Sequence, residues 1–191
     1  MLFENFIKLE TRCAQRVSKV SGWVSRMRLT GVQNVGVDPQ DDTDDKDKKR
    51  IFDSYVAYLK QGRINNWDLV DLSCYKLLGR YCFENQKDEI LKKLSNSENM
   101  WKKRIAIVAT MYHIKKGSHD LTIELALNNL NHSHDLMHKA NGWLLREIGN
   151  KDEEVLLDFL KIYYQNMPRT SLRYAIEKLD EDLRQDFLKG R

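Results

Sequence analysis

The chain is 191 residues long and 22.6 kDa, the length of one domain of ordinary size. Hydrophobic residues make up 41% and charged residues 31%, with 4 Trp, 8 Tyr and 6 Phe, enough apolar material to bury a core and exclude wholesale disorder. Only 2 Pro and 9 Gly occur, too few to punctuate a sandwich or barrel, so the composition leans all-α; a net charge of +4 permits a polyanionic partner without demanding one.

Residues 1–30 carry Lys8, Arg12, Arg16, Lys19, Arg26 and Arg28 among Phe3, Phe6, Ile7, Leu9, Val17, Val20 and Trp23. This reads as an amphipathic helix with a solvated basic face. Glu4 and Glu10 argue against a transit peptide, because such peptides avoid acids. Residues 30–45 combine Gly, Pro and clustered acids with no helical period and read as a loop or linker. The acids Asp41, Asp42, Asp44, Asp45 and Asp47 would repel a polyanion and are expected to lie away from any cleft that binds one or to act as a solvated linker.

From Asp47 onward apolar residues recur at steps of three and four: Ile51, Tyr55, Tyr58 and Leu59, then Leu69, Leu72, Tyr75, Leu77 and Leu78. Helices are expected at about 44–60, 66–83, 86–95, 98–116, 119–130, 133–149, 151–165, 168–179 and 180–189. Alternate helices start near Asn66, Glu98, Ser133 and Pro168, about 32 to 35 residues apart, a period suited to stacked helical repeats. The expected architecture is an all-α solenoid of antiparallel helix pairs over residues 46–191, preceded by the helix and acidic linker of residues 1–45. Asp71, Arg104, Lys139 and Arg173 fall at comparable turns of successive second helices, so they would line one concave face.

Cys13, Cys74 and Cys82 are odd in number and lack the spacing of a disulfide framework or a four-thiolate zinc site. A reducing, cytoplasmic setting fits them, and Cys74 and Cys82 read as small buried hydrophobes. No apolar run approaches the roughly 20 residues of a bilayer span, so no membrane partner is expected. The histidines His113, His119, His132, His134 and His138 are clustered. Without a nearby Cys or a metalloprotease Glu they read as polar surface, and no metal or other cofactor is expected.

Trp67 and Asp71 are four apart in Asn65-Asn66-Trp67-Asp68-Leu69-Val70-Asp71, which puts the indole and the carboxylate on one helix face a turn apart. Further runs are Trp101-Lys102-Lys103-Arg104 and Lys139-Ala140-Asn141-Gly142-Trp143-Leu144-Leu145-Arg146-Glu147. Trp101, opening a repeat helix, reads as core packing.

These ordered runs, from Lys46 to the C-terminus, resemble the DNA alkylation repair enzymes of the AlkD type, HEAT-like repeat glycosylases that release cationic N3- and N7-alkylpurines. The resemblance implies that Trp67, Asp71 and Trp143 form the catalytic cleft and that Arg104 contacts the DNA backbone beside the lesion. It also implies duplex DNA containing alkylated bases as the partner, a nucleoid-associated location and catalysis without a deep base pocket. Lys102, Lys103, Lys139, Arg146 and Arg173 are further candidates for phosphate contact. Family members carry more repeat helices before the Trp67 motif, so an altered front wall of the groove is expected.

The residue types suit the chemistry. A cationic purine is already a good leaving group, so one carboxylate can suffice where ordinary glycosides need two. Asp71 would stabilise the oxocarbenium-like sugar and orient water, and the indoles would favour developing positive charge. The expected activity is that of a monomeric, monofunctional glycosylase. The competing expectation is a catalytically silent repeat scaffold that binds DNA structures or proteins.

Overall fold

The computed structural model describes residues 45–190, so the helix and most of the linker expected over residues 1–45 lie outside the described residues. Helix α1 spans Asp45–Lys60 and buries Phe52, Tyr55 and Leu59, spaced three and four apart. Asp45 and Asp47 form its first turn, where the positive end of the helix dipole favours carboxylates. Both acids lie inside the helix expected at about 44–60, and Asp45 is also the last residue of the expected linker.

Helix α2, Trp67–Cys74, begins where the Asn66 side chain accepts the Leu69 N–H at 2.9 Å. It runs without a break through a π-helical turn, Tyr75–Gly79, into α3, Arg80–Glu84. Helix α4 is Glu89–Ser95, and α5 is Met100–Ala109, capped by Asn99. The long helix expected over 98–116 is divided at Thr110, after which α6 covers Met111–Lys115. Helices α7, Asp120–Asn128, and α8, Asp135–Gly149, follow. Then come α9, Glu153–Tyr163, a 3-10 turn, Tyr164–Asn166, α10, Arg169–Ala175, and α11, Glu181–Lys189.

The described unit is an all-helical α-solenoid. Helices α2, α5, α8 and α10 lie side by side in chain order, while α4 packs on α5 and α7, and α7 and α9 pack on α8. The inner faces are apolar: Ile105, Val108, Leu125, Leu144, Leu145, Ile148 and Leu160 are all fully buried. Cys74 and Cys82 are free thiols inside this core, as expected. Burial pushes the Cys82 thiol up to about 12 and Cys74 well above the ordinary range. Among the described residues no helix is long and apolar enough to cross a membrane.

Two close backbone approaches set the spacing of the inner helices. A Cβ built on Gly79 would lie 2.1 Å from the Ala109 carbonyl oxygen, and one on Gly142 would lie 2.4 Å from that of Ser171. Each glycine sits where a neighbouring helix crosses with no room for a side chain.

Helix α8 starts on histidines. The Nδ1 of His134 accepts the Leu136 N–H at 3.1 Å, and the Nδ1 of His132 accepts the His134 N–H at 3.0 Å. The ring of His138 hydrogen-bonds the His132 carbonyl through Nε2. Both Nδ1 atoms must be unprotonated to accept. The surface reading fails for His113, which is 1% exposed. Its Nε2 meets Asp88 Oδ1 at 2.9 Å and Phe83 stands edge-on to its ring, so the acid and the ring replace water.

Gly79→Ala should lower the unfolding free energy by about 3 kcal/mol, because a backbone oxygen cannot move aside. In Gly149→Ala the new Cβ meets the Leu156 side chain, Cδ2 at 2.4 Å with Cβ and Cγ at 3.3 and 3.4 Å, and no backbone, so the loss should be smaller, about 1 to 2 kcal/mol. Urea titration of both variants checks the contrast.

Burial lowers the His132 pKa below its ordinary 6.5, with Lys103, His134 and His138 adding to the shift. A depressed histidine binds fewer protons folded than unfolded, so its contribution is complete above 6.5 and is lost as pH falls through the lower folded value. Hydrogen-exchange protection of the His134 amide, whose N–H His132 accepts, should therefore decline below that pH. His132→Asn, which keeps an acceptor but does not titrate, should flatten the decline.

Candidate functional site

Asp71 sits in the last full turn of α2, just ahead of the π-helical turn. Its carboxylate meets the Arg104 guanidinium in a two-bond fork: Arg104 Nε donates to Oδ1 at 3.1 Å and Nη2 donates to Oδ2 at 2.6 Å. Arg104 Nη1 donates to the Leu136 carbonyl at the start of α8. One guanidinium thus ties together α2, α5 and α8, using the planar fork that lysine lacks.

Burial differs across the pair. The Arg104 side chain is 5% exposed and that of Asp71 18%, so the acid is the member nearer to solvent. Burial raises the Asp71 pKa, while hydrogen bonding and charge from Arg104 oppose that rise. Nearby, Ser73 Oγ donates to the buried Tyr55 hydroxyl at 3.3 Å. Burial holds the Tyr55 phenol well above its ordinary range, so it stays neutral beside Asp71.

Trp67 opens α2 one turn before Asp71 and is 40% exposed, an unusual degree of solvation for an indole. Trp143 is half-buried against the core on α8. It follows Leu136 by seven residues, close to two full turns, which places it on the same side of α8 and roughly 10 Å along the axis. Trp101 packs against the core, as its position suggested.

The candidate phosphate contacts separate into distinct environments. Arg104 points its donors at Asp71 and Leu136. Lys139 pairs with Asp135 at 2.7 Å, a hydrogen bond that raises its pKa, and it also feels Tyr174 and Arg104. Arg146 bridges Glu177 and Glu147. Lys103 donates to the Ser95 carbonyl at 3.2 Å. Lys102 is partly exposed, and Arg173 is exposed on α10.

Residues that pattern reading passed over also shape the site. The Leu136 carbonyl is a backbone group and leaves no trace in residue identity. Glu147, within the run quoted around Trp143, accepts the Trp143 indole N–H at 3.1 Å. Among the described residues no three His, Cys, Asp or Glu side chains converge as a metal ion would need.

The sequence model of the family described as DNA alkylation repair enzyme matches residues 30–179, starting inside the segment read above as linker. No curated protein matches. A solved structure described as a predicted DNA alkylation repair enzyme from Enterococcus faecalis superposes with a TM-score of 0.54 at 19% identity, covering 70% of this chain. The match spans 61% of that protein's length. With an all-helical stack of the same kind and a family match over most of its length, the chain belongs to the DNA alkylation repair enzyme family.

Proposed function

We propose that the protein is a DNA glycosylase that hydrolyses the N-glycosidic bond of cationic N3- and N7-alkylpurines in duplex DNA, leaving an abasic site. The observation that carries this reading is Asp71, a mostly buried carboxylate held by a two-bond Arg104 fork one turn from the exposed indole of Trp67.

A fixed carboxylate costs no reorganisation when positive charge develops on the sugar. As the bond from C1′ to the purine nitrogen lengthens, the electron pair leaves with the already cationic base, which departs neutral. The sugar becomes oxocarbenium-like, and Asp71 stabilises it and orients the attacking water. Arg104 keeps Asp71 ionised despite burial and sets the direction of its free lone pairs. Trp67 and Trp143 present electron-rich faces, each worth on the order of 0.5 to 2 kcal/mol to a desolvated cation.

On this reading Arg104 acts on the duplex chiefly through Asp71. The phosphate contacts then fall to the partly exposed Lys102 and to the exposed Arg173, with Lys139 and Lys103, each already paired, as weaker candidates. Such contacts position the duplex without reading sequence.

Asp71→Asn should slow release of 7-methylguanine or 3-methyladenine from alkylated duplex DNA on the order of a hundredfold, with duplex affinity no weaker than that of the wild type. Equal release by variant and wild type would remove Asp71 from the mechanism. Salt-sensitive duplex binding without base release by the unaltered chain would instead support the scaffold reading.

The reaction needs the Asp71 anion, and burial lifts its pKa above the ordinary 3.8. Single-turnover release should therefore be complete at neutral pH and decline through an acid limb above that value. The limb should be missing from the residual activity of Asp71→Asn.

A further inference from the structure

The run around Trp143 ends in Glu147, whose role the proposed reaction leaves open. Trp143 and Glu147 are four apart on α8 and therefore share a face. The indole Nε1–H donates to Glu147 Oε1 at 3.1 Å. That carboxylate is itself held: Arg146 Nη2 reaches the same oxygen at 3.4 Å, and Asn150 Nδ2 donates to Oε2 at 3.3 Å. Arg146 is anchored in turn through Nη1 to Glu177, just beyond α10.

An indole has one polar atom, and a half-buried Trp can place it on either side by turning its ring over. A fixed acceptor selects one of those states. From this arrangement we infer that Glu147 is a positioning residue: its carboxylate locks the ring orientation of Trp143 and so decides which indole edge and face the site presents. Arg146 acts one step further back, tying Glu147 to Glu177 and not to phosphate.

Charge supports the assignment. Asp71 and Arg104 sum to zero, whereas Glu147, Glu177 and Arg146 sum to minus one. Because the indole N–H lies in the ring plane, the Glu147 carboxylate stands at the edge of the Trp143 ring, where its negative charge favours a cation on the indole face.

The inference on ring orientation stands on geometry, and its effect on rate rests on the glycosylase reading above. Both are tested on the full chain with Glu147→Leu and Glu147→Gln, the second of which keeps an acceptor carbonyl at the same place. The first readout is the Trp143 indole N–H resonance in a nitrogen-15 correlation spectrum. It should move from a hydrogen-bonded position to a solvent-like one in Glu147→Leu and stay near the wild-type position in Glu147→Gln.

The second readout is single-turnover release of 7-methylguanine, which should slow about tenfold in Glu147→Leu, from a misplaced ring, with duplex affinity and urea midpoint unchanged. Glu147→Gln should recover to within about threefold of wild type. An unmoved indole resonance in Glu147→Leu overturns the inference, as does a Gln variant as slow as the Leu variant. If the wild-type chain releases no base at all, the glycosylase reading fails by itself, and the resonance alone decides whether Glu147 orients Trp143.

Discussion

The fork between Arg104 and Asp71 is the contact on which the site's geometry depends. It joins α2 to α5, and the third donor of the same guanidinium reaches the Leu136 carbonyl on α8. Apolar faces pack almost equally well at several offsets, whereas a two-bond fork plus a carbonyl contact is satisfied at only one. Three inner helices are thereby held in one axial register. Trp67 and Trp143, on the first and last of them, inherit their separation from that register.

Backbone approach works with the fork. Gly79 lets the π-helical turn touch the backbone at Ala109, and Gly142 lets α8 touch α10 at Ser171. With a Cβ at either place the helices would stand further apart, and a fork with bonds of 2.6 and 3.1 Å has little slack to follow. The π-helical turn itself begins four residues after Asp71, so the helix is rewound between the acid and the glycine contact. Such turns recur near functional sites because they re-aim one segment of a helix without ending it.

Much of the fold was legible because helix burial leaves a period of three and four in the residues themselves, as in Tyr55 and Leu59, although Phe52 and not Ile51 is the buried residue a turn earlier. The repeat spacing was legible as well, and α2, α5, α8 and α10 do lie in sequence as neighbours. Interruptions were not: Thr110 and the turn at Tyr75–Gly79 contain ordinary residues whose backbone state depends on the neighbouring helix. The Trp67 and Asp71 pair could be read from a four-residue step. That Arg104 faces Asp71 could not, since spacing says which turn a side chain occupies and not whether it points to solvent or to a partner. The 33-residue separation of the two, close to one repeat, was the available signal. His113 was misread for a related reason: a histidine is buried or exposed according to its partner, and Asp88 lies 25 residues away.

On the glycosylase reading, a bare carboxylate in the DNA-binding face would be repelled by the phosphates it approaches. Pairing removes the difficulty. Removing one partner from a buried ion pair is costly, but the pair as a whole adds little stability over an apolar substitute, so what it supplies is geometry and field. At distances beyond a few ångströms Asp71 and Arg104 cancel, and salt screens what remains, so a duplex meets no net repulsion. At contact the cancellation fails, because the acid is 18% exposed and the guanidinium only 5%. The pair then acts as a dipole with its negative end outward, and a dipolar field falls off faster with distance than that of a single charge. On the glycosylase reading, that field is weak at the neighbouring phosphates and strong at the one sugar in contact, where positive charge grows as the base leaves.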